Sequence, residues 1–295
     1  MTCFGGFYMI YKRKTNSTFK LKRLLGLLVI FVVTGIIYPV GALSAAAPAY
    51  YGKALNHTMS FGLSMYHFDY KEDVSPPLKS EVSGDLPGAY MEYTYDRLNS
   101  IYYNLLAEYA RYDLTYDGTT QGGTPASFDD PQEYRRFEGN IGYTFDTGRR
   151  SSLVLYWGLG YRQWNRSEAK DHGVATSYKE EYEWLYMPVG AKIIFELGDD
   201  WRVEPNFAFR VMLDGRMKAK MGEIGGQDLE FELGNETGWY ASVAVKYYLS
   251  RHWGVELTPW MEKSKIGKSN MVGGYYEPAS DTTMYGINMG IVFSF

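Results

Sequence analysis

The sequence is poor in the residue types that carry most catalytic and metal chemistry, with one cysteine and four histidines in 295 residues. Cys3 lies upstream of an apolar run and is expected to leave with it, so the mature chain has no thiol. That excludes disulfides, thiolate metal sites and cysteine nucleophiles. Charge of one sign is also lacking: the formal balance of −4 gives no reason to expect a nucleic-acid partner. No apolar run is long enough to cross a bilayer as a helix; the longest, Leu24 to Ile37, falls short of the ~20 residues needed. Glycine-rich phosphate loops are absent too. Gly158-x-Gly160 has no third glycine at Gln163 and precedes no helix, which removes nucleotide binding. The acidic groups Asp69, Glu72, Asp73 and Asp129, Asp130 invite calcium, but Asp113-x-x-x-Asp117-Gly118 lacks most EF-hand ligands, so neither metal nor cofactor is expected.

Lys20, Lys22 and Arg23 precede the apolar run, and Pro39 with small residues through Ala49 follows it. Basic, apolar and small segments in that order predict a secretory signal over residues 1–47, cut after Ala42-x-Ser44 or Ala45-x-Ala47. Its basic region is long, which makes Met9 a candidate start. Residues 48–295 are then a single domain, since no linker or composition shift divides them.

Aromatic residues are abundant, at 17% with 28 tyrosines, yet mean hydropathy is only −0.31. Alternation explains both. From Met284 to Phe295 the bulky apolar residues Tyr285, Ile287, Met289, Ile291, Phe293 and Phe295 fall on one strand face, and Gly286, Asn288, Gly290, Val292 and Ser294 on the other. A strand that is apolar outward and polar inward suits a barrel whose outer solvent is lipid. The same pattern predicts ten strands, near 59–68, 86–95, 100–112, 133–145, 151–164, 181–196, 201–214, 237–249, 253–263 and 283–295, with eight as the alternative. Tight turns and long polar connections alternate strictly. The long ones, over 69–85, 113–132, 165–180, 215–236 and 264–282, then share one end. The expected fold is all-β: a transmembrane, antiparallel, up-and-down β-barrel, closed so that no edge is left unpaired. Tyr95, Phe145, Phe195, Trp201, Trp253 and Phe293 sit beside the tight turns as an interfacial girdle. Pro205 and Pro259, unusual inside strands, predict local bulges.

With these features the chain resembles small outer-membrane barrels of the OmpA-like and omptin-like size class, over about residues 57–295. The ending Gly290 to Phe295 is similar to the signal read by the barrel assembly machinery, which the resemblance makes a partner through Tyr285, Ile291, Phe293 and Phe295. It implies residence in the bacterial outer membrane without fixing a function, since this fold hosts adhesins, narrow pores, proteases and lipid-modifying enzymes. Omptin proteases resemble one another in an Asp-Asp pair and an Asp-His pair near the extracellular rim. Here His67-x-Asp69 runs in the reverse order and no Asp-x-Asp lies nearby, so no catalytic residue is assigned and the protein is expected not to be an enzyme.

Charges at inward positions are the remaining signal. Lys192, Glu204, Lys246 and Glu256 come from four consecutive predicted strands at similar depth with alternating sign, and Glu92 shares that depth. Glu108, Glu138, Arg162 and Arg210 form a higher group. Buried charges cost several kcal/mol per ion unless paired, so both signs in a barrel this narrow predict an ion-pair-filled lumen; the alternative is a thin, ion-selective channel. Lys263 and Lys265 continue an outward face past its apolar part, where lipopolysaccharide phosphates would lie. Tyr112, Tyr116, Phe128, Tyr134, Tyr178, Tyr182, Tyr275 and Tyr276 are expected in the long loops, as a surface for a host or cell-surface ligand.

Overall fold

A computed structural model describes residues 55–295 apart from 121, 169 and 174. The expected signal segment, its cleavage site and Cys3 lie outside the described residues. The wall of the molecule consists of β1 (His57–Glu72), β2 (Ser80–Tyr95), β3 (Ser100–Thr119), β4 (Pro125–Gly148), β5 (Ser151–Arg166), β8 (Glu180–Leu197), β9 (Trp201–Ala219), β11 (Thr237–Tyr248), β12 (Trp253–Ile266) and β13 (Ser280–Ser294). Each pairs antiparallel with the next, and β13 pairs with β1 from Thr58↔Ser294 to Glu72↔Ser280. The ten strands therefore close into a barrel in which every wall strand has two neighbours. A two-residue hairpin, β6 (Lys170–Asp171) and β7 (Thr176–Ser177), lies between β5 and β8. A 3-10 turn (Met221–Ile224) and β10 (Leu229–Glu232), which pairs with the top of β9, lie between β9 and β11.

Both described chain ends meet at the tight-turn end, where the Phe295 amide donates to the His57 carbonyl at 2.9 Å. The turn after β4 is made by Arg149 and Arg150 with φ of 53° and 62°, left-handed at both central positions as a twisted hairpin requires.

Two of the five expected long loops, 69–85 and 113–132, are mostly strand. β3 and β4 pair without interruption from Ser100↔Thr144 to Thr119↔Pro125, so only 120–124 connects them. The alternation does not stop where the loops were expected; it inverts. Low on the wall the outward residues are apolar and exposed, as in Phe61, Leu63 and Met65 of β1. Above Met65 the same face of β1 carries His67, Asp69 and Lys71, while the inward face carries buried Tyr66, Phe68 and Tyr70. Where the outer solvent changes from lipid to water, the apolar side of the strand changes with it. Val82, Leu86, Leu114, Trp164, Tyr182 and Trp184 join those rings in one apolar cluster inside the upper barrel. Much of the expected tyrosine surface is therefore interior: Tyr134, Tyr178 and Tyr182 are buried, whereas Tyr112 is 59% exposed.

Proline explains the breaks in the ladder. Pairing of β8 with β9 lapses between Lys192↔Asn206 and Phe195↔Val203, around Pro205. That of β11 with β12 lapses between Ser242↔Trp260 and Val245↔Leu257, around Pro259. Proline has no N–H to give. The bulge itself lies higher, where Leu213 is extra opposite Leu185 and Tyr186, so the outward face of β9 shifts to Asp214, Arg216 and Lys218.

Candidate functional site

The inward charges form tiers. In the tier nearest the tight turns, Lys192 Nζ lies 3.3 Å from Glu204, Lys246 Nζ 2.9 Å from Glu204 and 3.9 Å from Glu256. Arg202 adds a third cation, 2.8 Å from Glu204, 3.6 Å from Glu196 and in contact with Asp96. Glu256 also accepts from Ser60 at 2.9 Å and Tyr90 at 2.5 Å. Glu92 stands at this depth but accepts from Asn104 at 2.5 Å rather than from a cation.

The middle tier spans the lumen. Glu262 receives Arg136 at 3.4 Å and is in direct contact with Arg162 and Arg210. Arg136 also pairs with Glu108 at 2.6 Å, and Arg210 with Glu138 at 3.0 Å. Glu108, Glu138 and Glu262 thus face Arg136, Arg162 and Arg210 with balanced charge. The guanidinium planes lie over rings, Arg210 4.3 Å from the Tyr240 centroid and Arg162 4.9 Å from that of Tyr186. These six side chains are at most 7% exposed. A neighbouring space lined by Tyr134, Arg162, Trp164 and Trp184 measures about 20 Å³, room for roughly one water.

Two glycines let large rings fill the lower lumen. Gly160 faces Tyr186 across the β5–β8 pair, and a Cβ there would fall 2.1 Å from the tyrosine Cζ. Gly190 faces Tyr156 in the same way, at 2.5 Å. Tyr186 donates to Glu138 at 2.7 Å and so joins the ring packing to the middle tier.

At the end opposite the tight turns, above the apolar cluster, Arg166 lies 3.3 Å from Glu72, 3.2 Å from Glu180 and 3.8 Å from Asp130. Glu277, on the connection 267–279, completes this upper group. Among the described residues no His, Cys, Asp and Glu cluster has the arrangement to hold a metal ion.

On the outer wall His67 Nδ1 lies 2.9 Å from Asp85 Oδ1, a partner that sequence spacing did not single out because it faces His67 across the β1–β2 register. Lys263 and Lys265 stand outward above Met261, with Lys265 3.2 Å from Asp281. Tyr285 and Ile291 are exposed on the outer face of β13 and Phe295 is exposed just past its end, while Phe293 packs 4.7 Å from the Trp253 ring.

The sequence reading omitted Arg136, Arg202 and Glu262. Each shares the inward parity of a residue already chosen, Glu138, Glu204 and Glu256 respectively, so extending the parity along β4, β9 and β12 would have reached them.

No family model matches the chain, and no curated protein matches it in sequence. Solved structures do match. The outer-membrane protease OmpT from Escherichia coli aligns over 85% of this chain and 100% of its own, with a TM-score of 0.52 and 9% identity. The outer membrane protein OprG from Pseudomonas aeruginosa aligns over 83% and 98% at a TM-score of 0.38 and 10% identity. Ail, the attachment invasion locus protein of Yersinia pestis, aligns over 81% and 100% at 0.34 and 11%. The chain has the fold and the lipid-facing surface of the bacterial outer-membrane β-barrels.

Proposed function

We propose that the protein is a non-enzymatic outer-membrane barrel, closed to solutes, that holds lipopolysaccharide on its outer wall and offers its extracellular rim to a surface partner. The middle tier carries the reading. Its charges balance and are bonded to one another across the lumen, and Tyr186, Tyr240 and the apolar cluster fill the space around and above them. A filled small barrel is a wall, whereas open aqueous channels are secure only at ~16 strands or more.

Lys263 and Lys265 support the lipopolysaccharide contact: both stand outward just above the apolar Met261 on β12, at the level where headgroup phosphates would lie. Assembly into the membrane through the terminal strand belongs to the same reading. His67 and Asp85 sit on the outer wall rather than in the mouth, with Asp85 73% exposed, which suits a surface ion pair better than a peptide-cleaving centre.

Planar-bilayer recording of the refolded chain tests the closed lumen. Silence from well-folded protein is expected. Steady conductance whose ion selectivity changes in Lys192→Ala or Glu256→Ala would replace this reading with a narrow channel.

A further inference from the structure

The connection 267–279 folds back over the mouth of the barrel. Gly234 and Gly267 exchange backbone hydrogen bonds at 3.1 and 2.9 Å, and the Val272 and Tyr275 backbones bond to each other across a turn at Gly273 and Gly274. Ser269 accepts the Glu277 amide at 2.7 Å, which turns the Glu277 side chain down into the lumen, where the residue is 5% exposed. There it meets the Tyr182 hydroxyl at 2.7 Å and the Tyr70 hydroxyl at 3.5 Å.

The groups around that carboxyl come from every side of the mouth. β1 supplies Tyr70 and Glu72, β4 Asp130, β5 Arg166, β8 Glu180 and Tyr182, and the segment before β8 supplies Tyr178. Four carboxylates thus share one guanidinium. Asp130 is served by Gln132 at 2.8 Å and by Ser167, and Arg166 is committed to Glu72 and Glu180, so among the described residues no cation forms an ion pair with Glu277.

We propose that segment 267–279 is an acid-stabilised cap, held on the barrel mouth by a protonated Glu277 carboxyl and loosened when that carboxyl ionises beside Glu72 and Glu180. Hydrogen counting supports it. Tyr182 has one hydroxyl proton and two carboxylate neighbours, Glu277 at 2.7 Å and Glu180 at 3.2 Å. With a proton on Glu277, its hydroxyl donates to Tyr182, which donates to Glu180, while Tyr70 donates to Glu72, and each carboxyl is served. Without that proton Tyr182 has one hydrogen for Glu277 and Glu180, and four buried carboxylates then face the charge of Arg166. Burial, with Glu72 and Glu180 adding to it, pushes the Glu277 carboxyl well above the usual carboxylate range. The sign follows. The closed cap binds a proton that an open cap releases, so closure is complete at pH values below the ordinary carboxyl pKa and weakens as pH rises from there through the raised one.

The test is hydrogen exchange of the refolded chain in micelles between pH 5 and 8.5, read by mass spectrometry over 267–279 and corrected for intrinsic base catalysis. Protection of the cap is expected to fall about tenfold per pH unit within that window, while β1–β13 amides stay protected. In Glu277→Gln, cap protection should be independent of pH and as high at pH 8.5 as at pH 5. Wild-type protection that is flat with pH, or a Glu277→Gln profile that follows wild type, overturns the proposal. Should Glu277→Gln fail to fold, Glu180→Gln serves: it removes one repelling charge, so the loss of protection at pH 8.5 should shrink, and an unchanged profile counts against the cap. Exchange reads the cap alone, so the result stands whether or not the lumen conducts.

Discussion

Glu262 has no exposed surface and takes bonds from three guanidinium groups contributed by β4, β5 and β9. A buried ion pair adds little net stability, but removing Glu262 leaves Arg162 charged without its carboxylate, while Arg136 and Arg210 keep Glu108 and Glu138. Glu262→Ala should therefore destabilise the folded barrel by about 3–5 kcal/mol, measured by urea unfolding in micelles. Gly160 is held to a different standard, of space. Gly160→Ala would drive a methyl into the Tyr186 ring at 2.1 Å and should cost about 1–3 kcal/mol. Gly139→Ala, whose nearest neighbour is Leu105 at 3.4 Å, is the matched control and should lie close to wild type.

At the level of elements, each wall strand has two environments in sequence. β1 turns from Met65, exposed to lipid, to His67 and Lys71, exposed to water, without changing its pairing with β2 or β13. The polar composition of 113–132 reads as loop because its outward residues, among them Asp113, Thr115, Asp117 and Asp129, face water, although Leu114 and Tyr116 keep the inward rhythm. At the same boundary on β12, Lys263 and Lys265 give a prediction. Purified lipopolysaccharide should raise the unfolding temperature of wild-type protein, and Lys263→Glu with Lys265→Glu should remove most of that increase; an equal increase in the double variant would refute the contact.

For the molecule as a whole, the distribution of charge along the lumen matters more than its total. The middle tier is neutral, whereas acids outnumber bases at both ends: Asp96, Glu92, Glu196, Glu204 and Glu256 against Lys192, Arg202 and Lys246 below, and Glu72, Asp130, Glu180 and Glu277 against Arg166 above. If the middle tier were opened by Glu262→Ala together with Arg210→Ala in protein that still folds, the resulting current should favour cations over anions, because both mouths would attract them. Reversal potentials in a salt gradient check this, and anion preference would show that the end tiers do not set the field.

Alternation from Met284 to Phe295, the strict succession of tight turns and long polar connections and the outward apolar faces determined the strand count, the closure and the lipid-facing surface, because side-chain period and turn spacing are local properties of the chain. The tertiary structure alone decided which inward charges meet. Glu262 and Arg136 lie 126 residues apart and Tyr182 and Glu277 95, and their distances depend on strand tilt and closure, which no local pattern records. It also decided that Tyr134, Tyr178 and Tyr182 are interior. A polar stretch reads as loop until it is known that water, rather than lipid, lies outside that part of the wall.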